Sequence, residues 1–161
     1  MKPLLLAAAL MLAAGPALAQ NAAQIERART GAACPKCNLF QADLGGLELR
    51  APNFAGARLR QADFSLGVMA GARLAGADLR DVEGYGALLT GADFSNADLT
   101  NASFVGAYLS RSTFTGAKLT GTNFSGADLS GARGLTTAQL VAACGDESTR
   151  LPAGLRISAC R

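Results

Sequence analysis

A period of five residues dominates the middle of the chain. Every fifth residue from Leu44 to Leu129 is apolar or Gly: ten Leu, six Phe, Met69 and Gly84. Two residues before each centre stands a small residue, and from Ala42 to Ala132 thirteen of nineteen are Ala. The residue just before the centre is usually polar, as at Asp43, Asp63, Asp78, Asp93, Asp98 and Asp128. Two residues after the centre, eleven of eighteen are Gly, for example Gly71, Gly76, Gly91 and Gly116. The unit reads Ala-Asp-Leu-x-Gly. Neither common element keeps this period, because a helix repeats every ~3.6 residues and a strand every two. A short extended piece closed by a corner does fit. Ala and Leu then point inward, the polar residue points out, and Gly takes the backbone angles of the corner. One unit has nothing against which to bury its Leu, so the units must stack into a solenoid.

The runs Ala92-Asp93-Phe94-Ser95-Asn96, Ala97-Asp98-Leu99-Thr100-Asn101 and Ala127-Asp128-Leu129-Ser130-Gly131 resemble the pentapeptide-repeat family. The resemblance covers roughly residues 34–133. It implies an all-β fold, a right-handed quadrilateral β-helix solenoid with four units per coil. At twenty residues per coil, that stretch makes about five coils. With backbones ~4.8 Å apart, the rod is roughly 24 Å long. Steps of twenty residues then define the walls. Leu39, Leu59, Leu79, Leu99 and Leu119 fall in one column, with Leu49, Met69, Leu89, Leu109 and Leu129 opposite. Phe64, Phe104 and Phe124 share a third column with Leu44 and Gly84, and Phe54, Phe94 and Phe114 share the fourth with Leu74. Gly84 is the one vacant wall position, with Val82 beside it.

The flanks divide the remaining chain. Lys2, the apolar run Leu4 to Ala14 and Ala17-Leu18-Ala19 form a signal-peptide pattern over 1–19, with cleavage after Ala19. The run is too short to span a bilayer of ~30 Å. The mature protein is therefore expected to be periplasmic or secreted, with no membrane insertion after cleavage. Residues 20–33 form an N-terminal cap, helical over Asn21 to Arg29. Residues 134–161 form a C-terminal cap in which Thr136 or Thr137 N-caps a short helix, and Leu135, Leu140 and Val141 cover the last coil. Short helical or irregular caps suit both ends, since an open solenoid exposes backbone there.

Cys34 and Cys37 lie at one end of this rod, and Cys144 and Cys160 at the other. A disulfide needs Cα atoms within ~7 Å, which excludes end-to-end pairing and a four-Cys metal site alike. The expected bridges are Cys34–Cys37 and Cys144–Cys160, consistent with an oxidising compartment. The alternative is a thiol–disulfide redox protein using Cys34 and Cys37, with Lys36 lowering a thiol pKa. No βαβ pattern surrounds this motif, as a redox reading requires.

His is absent, which removes the Ser-His-Asp arrangement and the commonest metal ligand. The reading is of a non-enzyme with no catalytic residues, metal or cofactor. Formal net charge is only +3, and residues 34–133 carry nine basic and nine acidic side chains. A neutral rod does not bind nucleic acid, nor does it copy a polyanion as gyrase protectors in the resembled family do.

The outward positions point instead to protein contact. Val68, Leu88 and Tyr108 are twenty residues apart and should stack in one outward column. Leu66, Tyr85 and Val105 adjoin it, and the six make one apolar strip across three coils. Such strips mark interaction sites, and Tyr is enriched in binding hot spots. Asp43, Asp63 and Glu83 should stack beside it, with Arg60 and Arg80 offsetting their repulsion. The expected function is a non-enzymatic exported structural or interaction protein. It is a rigid rod presenting a surface in the cell envelope to a protein partner or to a second copy of itself.

Overall fold

The structure, a computed structural model, describes residues 16–161, with side chains from Asn21 onward. The signal-peptide segment expected over 1–19 therefore lies outside the described residues, except for its last four. Those begin helix α1, Pro16–Arg29.

The repeat builds a four-sided coil. Turns recur every five residues, and the second residue of each corner has positive φ. From Asn38 to Thr113, the residue just before each centre bridges in parallel to the residue twenty positions on. Four outward columns result: Asn38–Arg58–Asp78–Asp98–Lys118, Asp43–Asp63–Glu83–Ser103–Asn123, Glu48–Val68–Leu88–Tyr108–Asp128 and Asn53–Arg73–Asp93–Thr113–Arg133. Backbone bonds run both ways between rungs. Leu44 N–H donates to Asp63 O at 2.9 Å, and Asp63 N–H donates to Ala42 O at 2.9 Å. The sides are too short to form continuous strands. They pair through isolated bridges, and the only strands among the described residues are β1 (Cys144–Gly145) and β2 (Ser158–Ala159). The all-β expectation is corrected to this extent: the repeat pairs through a ladder of single-residue bridges rather than through strands, while the short helices expected as caps are present at both ends.

The outward Asp of the repeat has a local task. Its carboxylate accepts the backbone N–H two residues on, closing the corner. Asp63 does so from Ser65 at 2.8 Å, Asp93 from Ser95 at 2.9 Å and Asp128 from Ser130 at 2.9 Å. Asn123 does the same for Ser125. This explains why Asp or Asn recurs in the repeat independently of any partner.

The core is a thin column of Leu, Phe and Ala. The ring centroids of Phe94 and Phe114 are stacked 5.0 Å apart, and those of Phe104 and Phe124 are 6.2 Å apart. The two Phe columns meet across the interior edge to face, Phe94 with Phe104 at 6.0 Å and Phe114 with Phe124 at 6.2 Å. The gap expected at Gly84 is occupied: a Cβ there would lie 2.6 Å from the Phe104 ring. Gly84 therefore makes room for Phe104, and a side chain at this position overpacks the core at a cost of about 1–3 kcal/mol. At two small positions Ser112 and Thr122 are fully buried. Their hydroxyls donate to Leu89 O and Leu99 O, each at 2.8 Å.

The ends are closed differently. α1 buries Ala28 and packs Ile25 against the first coil before Gly31 ends it at φ 78°. At the other end, α2 (Thr137–Val141) begins with a capping box between Thr136 and Gln139. The amide of Gln139 also donates to Phe114 O and Ala117 O, each at 2.9 Å. Leu140 is fully buried and Leu135 half-buried, but Val141 is 74% exposed and covers nothing. Five residues of helix present only about one face, and Val141 lies off it. The tail after α2 rejoins the ladder: Cys144 bridges Asn123 and Arg150 bridges Asp128. β2 then pairs in parallel on β1. The coil thus resumes beyond Arg133 after an excursion through α2.

Candidate interaction surface

The side carrying Val68, Leu88 and Tyr108 has these three residues bridged in register at its centre. Leu66, Tyr85 and Val105 stand on the corner joining that side to the Asp63 side. Leu66 is 61% exposed, Tyr85 59% and Tyr108 53%, while Val105 is half-buried. The stretch Asp81 to Leu88 departs from the repeat consensus, yet its register is unbroken, with Glu83 bridged to Ser103 and Leu88 to Tyr108. Leu66 occupies a corner position with φ 58°. Gly fills that position at most corners, and a bulky residue pays for it in strain. Its Cδ2 lies against the next corner, 3.0 Å from where a Cβ on Gly86 would be.

Sequence reasoning missed Phe40, which is 39% exposed on a different corner. It stands with Asn38, Arg58, Arg60, Asp78 and Arg80 around a shallow hollow of about 420 Å³. Its signal was available, since Phe40 is a large apolar residue immediately after the inward Leu39.

Asp43, Asp63 and Glu83 do stack in register. Arg60 and Arg80 do not offset them. Arg60 pairs with Asp81 at 3.1 Å and Arg80 with Asp78 at 2.7 Å, because both guanidiniums find carboxylates nearer their own corner. The cation that reaches the column is Arg29 of α1, 3.5 Å from the Asp43 carboxylate. It also donates to Asp43 O.

Several carboxyls titrate below their ordinary range. The Arg80 guanidinium holds Asp78 down, and reciprocally the Asp78 bond raises Arg80. Partial burial would raise Asp98, but bonds from Thr100 and Lys118 outweigh it. The Ser130 side chain and backbone N–H lower Asp128. The Ser148 hydroxyl, with the Gly126 N–H, brings Asp146 to about 2. A carboxyl lowered on folding adds stability above its unfolded pKa, near ~3.9, and loses it as pH falls toward the folded value. Urea midpoints are therefore expected to hold from about pH 7 to 5 and to fall between about pH 4 and 2. Asp146→Asn should make the acid branch of that curve shallower, and an unchanged branch would remove Asp146 from this account.

Both disulfides are closed. Cys34–Cys37 has a Cα–Cα distance of 5.4 Å and Cys144–Cys160 of 4.8 Å. Cys34 is fully buried, with its Sγ 3.7 Å from Gln24 O of α1, and Cys37 is half-buried. Thiol exchange needs an accessible sulfur, so enclosure beside α1 favours a structural bridge. Among the described residues no cluster of His, Cys, Asp and Glu is arranged to hold a metal. Among them too, no helix is long and apolar enough to cross a membrane.

Comparison with known proteins agrees with this architecture. The family model for pentapeptide repeats matches in eight copies, over residues 30–65, 68–104, 85–116 and 92–131. No curated protein sequence matches the chain. A solved pentapeptide repeat protein from the Arabidopsis thaliana thylakoid lumen is 30% identical, with a TM-score of 0.50. The match covers 58% of this chain and 61% of that one, so the chain spans about three fifths of that protein's length. HetL, a pentapeptide repeat protein involved in heterocyst differentiation regulation from the cyanobacterium Nostoc sp. strain PCC 7120, is 26% identical with a TM-score of 0.58. That match covers 80% of this chain and 68% of HetL.

Proposed function

Because this chain belongs to the pentapeptide-repeat family, we propose that it is a non-enzymatic exported rod presenting a protein-binding surface in the cell envelope. In this reading the rod is a right-handed β-helix of about five repeat coils. Its leader over 1–19 is removed, and the mature protein works in the periplasm or outside the cell. The observation that carries the reading is the in-register outward column Val68–Leu88–Tyr108, flanked by exposed Leu66 and Tyr85. Outward positions elsewhere are mostly Ser, Thr, Asp, Asn and Arg. A contiguous apolar strip on such a surface costs solubility and is kept where something binds. Tyr suits that role, having a large apolar body and a polar tip.

A photo-crosslinking residue at position 88 of the full-length chain, expressed in cells, tests the surface. A crosslinked adduct is expected, and Tyr108→Glu should remove it while leaving thermal stability unchanged. Light scattering on the purified mature protein separates the occupants, since a dimer split by Tyr108→Glu identifies a second copy. Intact mass should place the mature N-terminus at Gln20. A silent position 88 together with a monomer in solution would overturn the binding surface.

A further inference from the structure

The acidic column has one satisfied rung and two open ones. Asp43 has Arg29, from the basic last turn of α1. Asp63 and Glu83, on the next two rungs, are exposed and have no ion-pair partner among the described residues. They bridge each other in register, and like charges at that spacing repel until a cation meets them. Around the corner begins the apolar strip. Leu66 on that corner combines positive φ with 61% exposure. The other non-Gly residues at this corner position are Lys, Gln, Ala, Asp, Asn and Arg, so Leu66 is the one large apolar residue there, and its exposure extends the apolar strip onto the corner.

We infer that this corner docks a basic amphipathic helix of a partner protein. The helix lies along the rod, its apolar stripe on Val68, Leu88 and Tyr108 and its cations over Asp63 and Glu83. The inference rests on the protein-binding reading above and names the kind of partner. Charge complementarity has a precedent within the chain, since Arg29 already brings a helix-borne guanidinium to this column. Spacing selects the helix. Rungs are ~4.8 Å apart. A helix offers one apolar contact per ~5.4 Å turn, so it drifts by only ~1 Å over three rungs. Same-face residues of an extended strand are ~6.8 Å apart, and drift by ~4 Å. Strand addition also needs an open edge, whereas here each rung is hydrogen-bonded to its neighbours. A second copy fits less well. The three rungs run only ~10 Å along the axis, and a stable dimer buries about 800 Å² per partner.

The test uses the mature, disulfide-intact protein and a labelled Leu/Lys peptide of about eighteen residues, with Leu at helical spacing. A twin peptide carries Glu in place of Lys. Fluorescence anisotropy is expected to show the Lys peptide binding at least about tenfold more tightly than its twin. Circular dichroism should show it gaining helix on mixing. Asp63→Lys combined with Glu83→Lys should erase the preference for Lys, and Leu88→Glu should weaken binding at least about tenfold. Leu66→Gly should weaken binding while the thermal midpoint holds or rises, which separates lost contact from lost folding. Equal affinity for the two peptides, or affinity untouched by these variants, would sink the helix proposal. If position 88 still crosslinks a protein in cells, only the helix is wrong. If it is silent as well, the binding surface falls too.

Discussion

Phe104→Ala is expected to lower the free energy of unfolding by about 3–5 kcal/mol, read from urea titration of the purified mature protein. The ring of Phe104 meets Phe94 at 6.0 Å and Phe124 at 6.2 Å, and it fills the room that Gly84 leaves. Removing it leaves a void in a core too thin to collapse around it. Each coil contributes only one residue to each inner column, so no second layer of side chains can move in. The loss is large against a typical total stability of about 5–15 kcal/mol. Phe40→Ala, at an exposed corner, serves as the comparison and should change stability by less than about 1 kcal/mol. Equal effects at the two positions would mean that the Phe columns are not the centre of the fold.

Opening the Cys144–Cys160 bridge should be the second large effect. The bridge spans 16 residues and ties β1, which continues the ladder above Asn123, to the end of β2. The chain-entropy relation gives about 3 kcal/mol for a loop of this size. Cys144→Ser with Cys160→Ser should lose that amount and raise hydrogen exchange at Phe124 and Leu129, whose N–H groups donate to Cys144 O and Arg150 O. The other bridge spans only 3 residues and closes a single corner. Cys34→Ser with Cys37→Ser should cost about 2 kcal/mol by the same relation, and no insulin-reduction activity should accompany the wild type. Measurable reduction that the double substitution abolishes would restore the redox reading of these two residues.

The ladder was legible because the five-residue period marks which residues point inward and the resemblance to the pentapeptide-repeat family implies four units per coil. Once Leu44, Leu49 and their successors are inward, the twenty-residue step places Val68, Leu88 and Tyr108 in one column, as observed. The irregular stretch Asp81 to Leu88 did not disturb it, since backbone bonds between rungs do not depend on the side chains there. What escaped sequence reasoning depends on reach. Arg60 and Arg80 turn to Asp81 and Asp78, and periodicity says nothing of where a long side chain bends. The occupant of the Gly84 gap is the large Phe104 one rung away, a packing choice visible only in three dimensions. The return of the tail to the ladder was hidden because Cys144 and Arg150 match Asn123 and Asp128 at steps of 21 and 22 rather than twenty. The excursion through α2 takes up one extra residue, and the turn between Cys144 and Arg150 takes up the other. The corner-closing role of Asp63 and its equivalents shows only in the coordinates, although the recurrence of Asp was plain in the sequence.

The constant separation of bridged residues governs how such a chain acquires its shape. In a globular domain the average loop to be closed grows with chain length, and folding slows accordingly. Here every bridge in the repeat region closes the same interval, Asn53 to Arg73 as much as Thr113 to Arg133. Each added coil therefore meets the same entropic barrier as the one before it. Growth is a zipper that starts once two coils meet and runs outward in both directions. The zipper has unequal stops. At the C-terminal end a covalent clasp holds the final turns. At the other end the first coil is held by α1 and by a bridge that encloses one corner only. Under a steady pull on its two ends the rod should come apart coil by coil from the α1 side, a directional unravelling set by where the cysteines stand.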